Sequence, residues 1–213
     1  MSKIILKTKQ VVQYIIWVSF DFYIRIIEYF QAYFEKRKGL DFAKQLNEKR
    51  LGYTGGPYQS YQTGGMIKLK KILSKLSISE KDLVLDVGSG KGKSLHTLHQ
   101  YPFKKVDGVE LSKELCDIAK KNLETLNIKD IDIYNCDATT FTDIDKYNYF
   151  FFSNPFVGEP MQVVANNIKL SHKKLPRKIT VIYYVPLCHK MFMDLEIFNV
   201  VISVNSFKVY QSK

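Results

Sequence analysis

Asp86-Val87-Gly88-Ser89-Gly90-Lys91-Gly92 follows directly on the apolar run Leu83-Val84-Leu85. Glycine lets the backbone take positive φ and lets a ligand lie against the main chain. The order therefore reads as a buried strand that delivers a carboxylate and then a turn of open N–H groups, suited to a nucleotide-like ligand. Two further carboxylates follow. Glu110, in Val106-Asp107-Gly108-Val109-Glu110-Leu111, stands 24 positions after Asp86, where a carboxylate can accept both hydrogens of a ribose diol. Asp137, in Ile131-Asp132-Ile133-Tyr134-Asn135-Cys136-Asp137-Ala138, can accept from an exocyclic adenine amine. Farther on, the apolar stretch Tyr147 to Ser153 leads into Asn154-Pro155-Phe156, an amide beside an aromatic ring. A single acid at a strand end means little; three in register with a glycine turn mark one crevice.

Those residues need a scaffold of alternating strands and helices. Leu83–Asp86, 106–111, 131–138, 147–153 and Lys178 to Pro186 read as five strands, each apolar and ending in turn residues. Helical segments are expected at Lys93 to Tyr101 and Met66 to Leu76. Strands 200–204 and 207–210 form a closing hairpin. Alternation of this kind gives a parallel sheet with helices on both faces, whose ligands lie beyond the carboxyl ends of the strands.

The set of motifs resembles the class I S-adenosylmethionine-dependent methyltransferases. The resemblance implies a Rossmann-like, doubly wound, mostly parallel seven-stranded sheet, here with an N-terminal helical extension. It implies that Asp86 holds the amino acid end of the cofactor over the turn Gly88, Ser89, Gly90 and Gly92. Glu110, with Leu111 beside it, would take the ribose; Asp137 and Ala138 would take the adenine. Residues 50–65 form a Gly- and Tyr-rich loop, and Tyr61-Gln62-Thr63-Gly64-Gly65 resembles a segment of the disruptor-of-telomeric-silencing histone lysine methyltransferases. In that family a tyrosine and a small-and-acidic tetrapeptide line the methionine end of the cofactor. Tyr61 and Thr63 match it, although no acid is present. Asn154, Pro155 and Phe156 look like a shortened Asn-Pro-Pro-aromatic motif of amine methyltransferases, in which the amide holds the target nitrogen and the ring packs on its alkyl arm. The resemblance spans residues 61–170 and speaks for the cofactor more than for the acceptor. It implies methyl transfer to an amine, with a protein lysine favoured. The alternatives are an oxygen acceptor on a small molecule or glycan, with His189 as base, and a non-catalytic cofactor-binding scaffold.

At 213 residues and 46% hydrophobic content, the chain supports one catalytic domain, 51–213, and an extension, 1–50. Cys116, Cys136 and Cys188 are too few and too scattered for a disulfide framework and read as buried thiols of a cytoplasmic protein. His96 and His99 share a helix face without a nearby ligand in sequence, so no metal is expected. The net charge of +11 is spread over the surface. Clusters at 36–38, 68–71 and 173–178 lack the arginine–aromatic interleaving of a nucleic-acid reader, and nucleic acid is not an expected partner. In the extension, Trp17, Asp21, Arg25 and Glu28 fall on one stripe of a helix, opposite Val12, Ile15, Ile16, Tyr23, Ile26, Ile27, Phe30 and Phe34. The charges exclude a membrane span. The helix is expected to pack on the domain, lie peripherally in a membrane interface, or contact a partner.

Overall fold

The computed structural model describes residues 23, 26, 27, 29, 30, 32–42, 65–204 and 206–213. Met1–Leu40 and Asp41–Lys213 are two compact units. In the first, the described residues up to 37 are helical and expose Tyr23, Ile26, Tyr29, Phe30, Tyr33 and Phe34. The expected stripe of Trp17, Asp21, Arg25 and Glu28 lies outside the described residues. Among the described residues no helix is long and apolar enough to cross a membrane.

The described residues of the second unit hold seven strands: β1 (Leu83–Val87), β2 (Lys105–Glu110), β3 (Asp132–Asn135), β4 (Tyr149–Phe152), β5 (Thr180–Tyr184), β6 (Phe198–Val204) and β7 (Phe207–Ser212). They lie in the order β3-β2-β1-β4-β5-β7-β6. β1 to β5 are parallel, whereas β7 runs antiparallel to both β5 and β6. The sheet is thus mixed: a two-stranded antiparallel hairpin closes one edge of a five-stranded parallel core. Among the described residues five helices accompany it: α1 (Met66–Leu73), α2 (Lys93–Leu98), α3 (Lys113–Thr125), α4 (Glu159–Lys174) and α5 (His189–Asp194).

The period of two along each strand explains why both faces are covered. Phe150 and Phe152 of β4 pack with Leu85, Val181 and Tyr183 under Met161, Val164 and Ile168 of α4 and Phe192 of α5. Tyr149 and Phe151 point the other way, with Val84, Val106 and Ile182, under Leu69, Ile72 and Leu73 of α1 and Leu95 and Leu98 of α2. The sheet is therefore sandwiched, and its middle strands β1, β4 and β5 are apolar apart from Asp86, Thr180 and the tyrosine hydroxyls.

β3 is shorter than the expected 131–138. Asn135 turns its side-chain amide onto the carbonyls of Glu110 (3.0 Å) and Leu111 (2.9 Å), and Asp137 starts a short 3-10 turn, 138–140, by accepting from the Thr139 N–H at 2.8 Å. Local side-chain bonds of this kind compete with the strand ladder. The cysteine reading also needs correcting: Cys116 and Cys188 are buried, but Cys136 is only partly so. Two of the basic residues in 173–178 are engaged by the fold. Arg177 spends its guanidinium on the carbonyls of Tyr147, Ser171 and Leu175, and Lys174 pairs with Asp145 at 2.6 Å.

Candidate functional site

All five parallel strands end on one edge, where the connections after β1 and β4 part to opposite faces of the sheet; this is the switch point at which open α/β sheets bind ligands. Asp86, the fourth residue of β1, is fully buried, and Ser94 at the start of α2 donates its hydroxyl to Asp86 Oδ2. Burial pushes the Asp86 carboxyl up to about 7 against the Ser94 bond, with the nearby Glu110 charge adding to the rise. The loop that follows turns on Gly88, Gly90 and Gly92, all at positive φ. At Gly88 only glycine fits, since a Cβ there would lie 2.3 Å from Pro155 Cβ. The turns after β1 and β4 are thus interlocked.

Glu110 closes β2. Its two carboxylate oxygens accept from the backbone of Gly90 and of Ser112, each at 2.9 Å. These bonds fix the plane of the carboxylate. Asp137 Oδ1 is committed to Thr139, at 2.8 Å from its N–H and 2.7 Å from its hydroxyl, so an external donor would meet Oδ2. Leu111 is exposed beside Glu110, and Ala138 opens the turn after Asp137.

Beyond β4, Asn154 stands at φ 50, a left-handed conformation that asparagine tolerates better than most residues. Phe156 is buried in the core beneath it. Three buried side-chain polar atoms have no hydrogen-bond partner among the described residues: Asp86 Oδ1, Ser89 Oγ and Asn154 Oδ1. All three belong to the β1 and β4 turns. Buried polar atoms are otherwise paired almost without exception, which makes Asp86 Oδ1 and Asn154 Oδ1 candidate contacts for a ligand, whereas Ser89 Oγ lies against Gly108 of β2. A further wall comes from Gly65, at φ 88, which lies so close over the Tyr184 ring at the end of β5 that a Cβ would fall 2.6 Å from the ring. Tyr61 and Thr63 lie outside the described residues.

Residues 84–170 match the family described as a methyltransferase domain. A curated relative from Methanococcus vannielii, named for cobalt-precorrin-6B C(15)-methyltransferase (decarboxylating) activity, is 25% identical over 139 residues, 62% of this chain and 73% of its own length. The ribosomal protein L11 methylase of Lactobacillus delbrueckii subsp. bulgaricus has the same fold, with a TM-score of 0.55 and 17% identity over 75% of this chain and 82% of that one. So does a T. thermophilus 16S rRNA N2 G1207 methyltransferase solved with its methyl donor and guanosine, with a TM-score of 0.55 and 18% identity over 70% of this chain and 41% of that one. This protein is an S-adenosylmethionine-dependent methyltransferase.

The residues present fit that cofactor. An unpaired carboxylate oxygen on Asp86 suits an ammonium, and the fixed carboxylate of Glu110 suits a ribose diol. Replacing Glu110 with alanine in the methyltransferase removes up to two charge-assisted hydrogen bonds to the ribose, each about 1.5–3 kcal/mol. It also frees the Gly90 N–H. Calorimetric titration with the demethylated product should show affinity down by about tenfold or more; wild-type affinity in that variant would remove the ribose assignment.

The other sequence candidates are placed elsewhere. His189 Nδ1 lies 2.9 Å from the Tyr210 hydroxyl, and burial with the Lys208 charge lowers its pKa. Tyr210 pairs with Val181, three residues short of the end of β5, about 10 Å back from the crevice edge. His99 meets Asp130 at 3.0 Å, while His96 stacks on Phe42. Among the described residues no group of His, Cys, Asp and Glu could hold a metal ion. Asp107, though on β2, faces away from the crevice and accepts from the Tyr147 hydroxyl at 2.8 Å. Sequence reasoning passed over Ser94 and Gly65. A hydroxyl eight residues after the strand acid, at the start of the next helix, was the available signal for Ser94. Nothing in sequence pairs Gly65 with Tyr184.

Proposed function

We propose that the methyl acceptor is an amine nitrogen, with a protein lysine side chain as the favoured case. The observation that carries this reading is Asn154, whose amide oxygen is buried, unpartnered and held at a left-handed turn against the glycine loop. Bound S-adenosylmethionine supplies an electrophilic methyl group on a sulfonium. What the chain must add is orientation of a neutral nucleophile. The Asn154 oxygen accepts an N–H of the incoming amine, which fixes the direction of the remaining lone pair. Tyr184, partly buried at the end of β5, supplies an apolar wall for an alkyl arm. An ammonium has no lone pair to donate, so an amine whose solution pKa is about 10.4 must first lose a proton, and turnover rises with pH. The likeness of 61–65 to the disruptor-of-telomeric-silencing histone lysine methyltransferases, and of 154–156 to the amine methyltransferases, supports the same acceptor.

A small-molecule acceptor is the second reading, favoured by the name of the Methanococcus vannielii relative. The version with His189 as base for an oxygen acceptor has less support, since that ring is held against Tyr210. Incubation with methyl-labelled cofactor and a lysate, followed by separation into protein, nucleic acid, lipid and small-molecule fractions, decides between them. Label in protein, recovered as methyl-lysine after acid hydrolysis, is the expected result. Label confined to the small-molecule fraction would replace the lysine reading.

A further inference from the structure

Lys91 is the charged member of the glycine loop, and its side chain is completely buried. Its Nζ lies 2.8 Å from Asp41 Oδ1, the carboxylate of a residue fifty positions earlier whose own side chain is 43% exposed. The same two residues are tied a second time through Asn122 of α3, which is itself buried. Asn122 donates from Nδ2 to the Lys91 carbonyl at 3.0 Å and to the Asp41 carbonyl at 3.4 Å, and it accepts the Asp41 N–H on Oδ1 at 2.8 Å. Next in the chain, Phe42 is buried and stacks flat on His96 of α2, with ring centroids 6.2 Å apart and planes 6° apart. The pair 41–42 therefore bridges α2, α3 and the turn between β1 and α2.

A lysine drawn wholly out of water is costly unless an opposite charge accompanies it, and removing that partner costs more than the pair ever contributed. Here the buried cation lies between Gly90, whose N–H orients Glu110, and Gly92, the first residue of the α2 cap. A displaced Lys91 would carry both neighbours with it. We propose that Asp41 is a positioning residue for cofactor binding: by pairing with Lys91 it holds the glycine loop in the form that receives S-adenosylmethionine. The assignment rests on the crevice being the cofactor site and is independent of the acceptor.

The test uses the full chain and two readouts that do not depend on turnover: calorimetric titration with the demethylated product, and amide hydrogen exchange of the peptide covering 86–94 in cofactor-free protein. In Asp41→Asn, affinity should fall by about tenfold and the loop amides should exchange about tenfold faster. Lys91→Met in the same chain removes the buried charge that Asp41 faces, and the double variant Asp41→Asn/Lys91→Met should return to within about threefold of wild type on both readouts. A lower melting temperature with unchanged affinity and loop exchange in Asp41→Asn would overturn the proposal. So would a double variant as weak as the single. If Asp41→Asn does not fold, the double variant alone decides: near-wild-type affinity supports the positioning role, and lost affinity overturns it. Wild-type protein titrated alongside, with Glu110→Ala, separates failure of this proposal from failure of the cofactor site, since a misplaced site leaves both Glu110→Ala and Asp41→Asn without effect.

Discussion

Replacing Asn154 with alanine should lower the rate of methyl transfer by about 10² to 10³ at saturating cofactor, as when one preorganised polar contact is removed from a closed site. Affinity for the cofactor should change little, because the role proposed for the missing group is toward the acceptor. Alanine at φ 50 also strains the backbone, so the decisive companion is Asn154→Gly. Glycine adopts that conformation freely and removes the same amide. A rate loss shared by both variants, with melting temperature lowered only in the alanine one, assigns the effect to the amide. Asn154→Asp sharpens the test: its carboxylate keeps an oxygen in place but stabilises the ammonium form, so the rate should stay low and the pH at which it rises should move upward. Full activity of Asn154→Gly on the true acceptor would reduce Asn154 to a turn residue and withdraw the main support for an amine.

The legible parts of this molecule were those written in local pattern. β1, β4 and β5 are buried on both faces and so appear as uninterrupted apolar runs. Asp86 stands out as the one charge in its run, whereas Glu110 ends a strand that also carries Lys105 and Asp107 and is marked by its spacing from Asp86. β3 was the least regular, because it lies at the sheet edge with only one neighbour. There Asn135 and Asp137 turn to local backbone bonds that a strand pattern does not encode. The remaining features come from contacts between distant segments. Pro155 against Gly88 requires the β1 and β4 turns to meet, and Lys91 with Asp41 requires two segments fifty residues apart to meet. Lys91 reads in sequence as an ordinary solvated lysine beside glycines, and only its complete burial sets it apart. His189 shows the converse. It follows a strand at a promising distance, yet Tyr210, brought in by the antiparallel β7, captures its ring.

Cofactor binding should weaken sharply in acid, and Asp86 should be the reason. In the cofactor-free protein burial holds its carboxyl at about 7, well above the ordinary 3.8. Pairing with the ammonium of the cofactor needs the ionised form, so each pH unit below about 7 costs about a factor of ten, and affinity at pH 5 should be about 100-fold below that at pH 7.5. Above about 8 the amino group of the ligand loses its own proton, which gives the profile a maximum between these limits. The stability of the empty protein moves in the opposite direction. A carboxyl with a raised folded-state pKa favours the fold while protonated; that contribution is complete below about 3.8 and is lost as pH rises toward about 7. Thermal melts should therefore show a larger cofactor-induced rise at pH 7.5 than at pH 5. Asp86→Asn should bind weakly at every pH and lose the acid limb, because its amide carries no charge to titrate, while the Ser94 hydroxyl still has an oxygen to donate to. An acid limb that persists in Asp86→Asn would place the titrating group elsewhere. A flat wild-type profile from pH 5 to 7.5 would mean that the buried oxygen of Asp86 does not meet the ammonium at all.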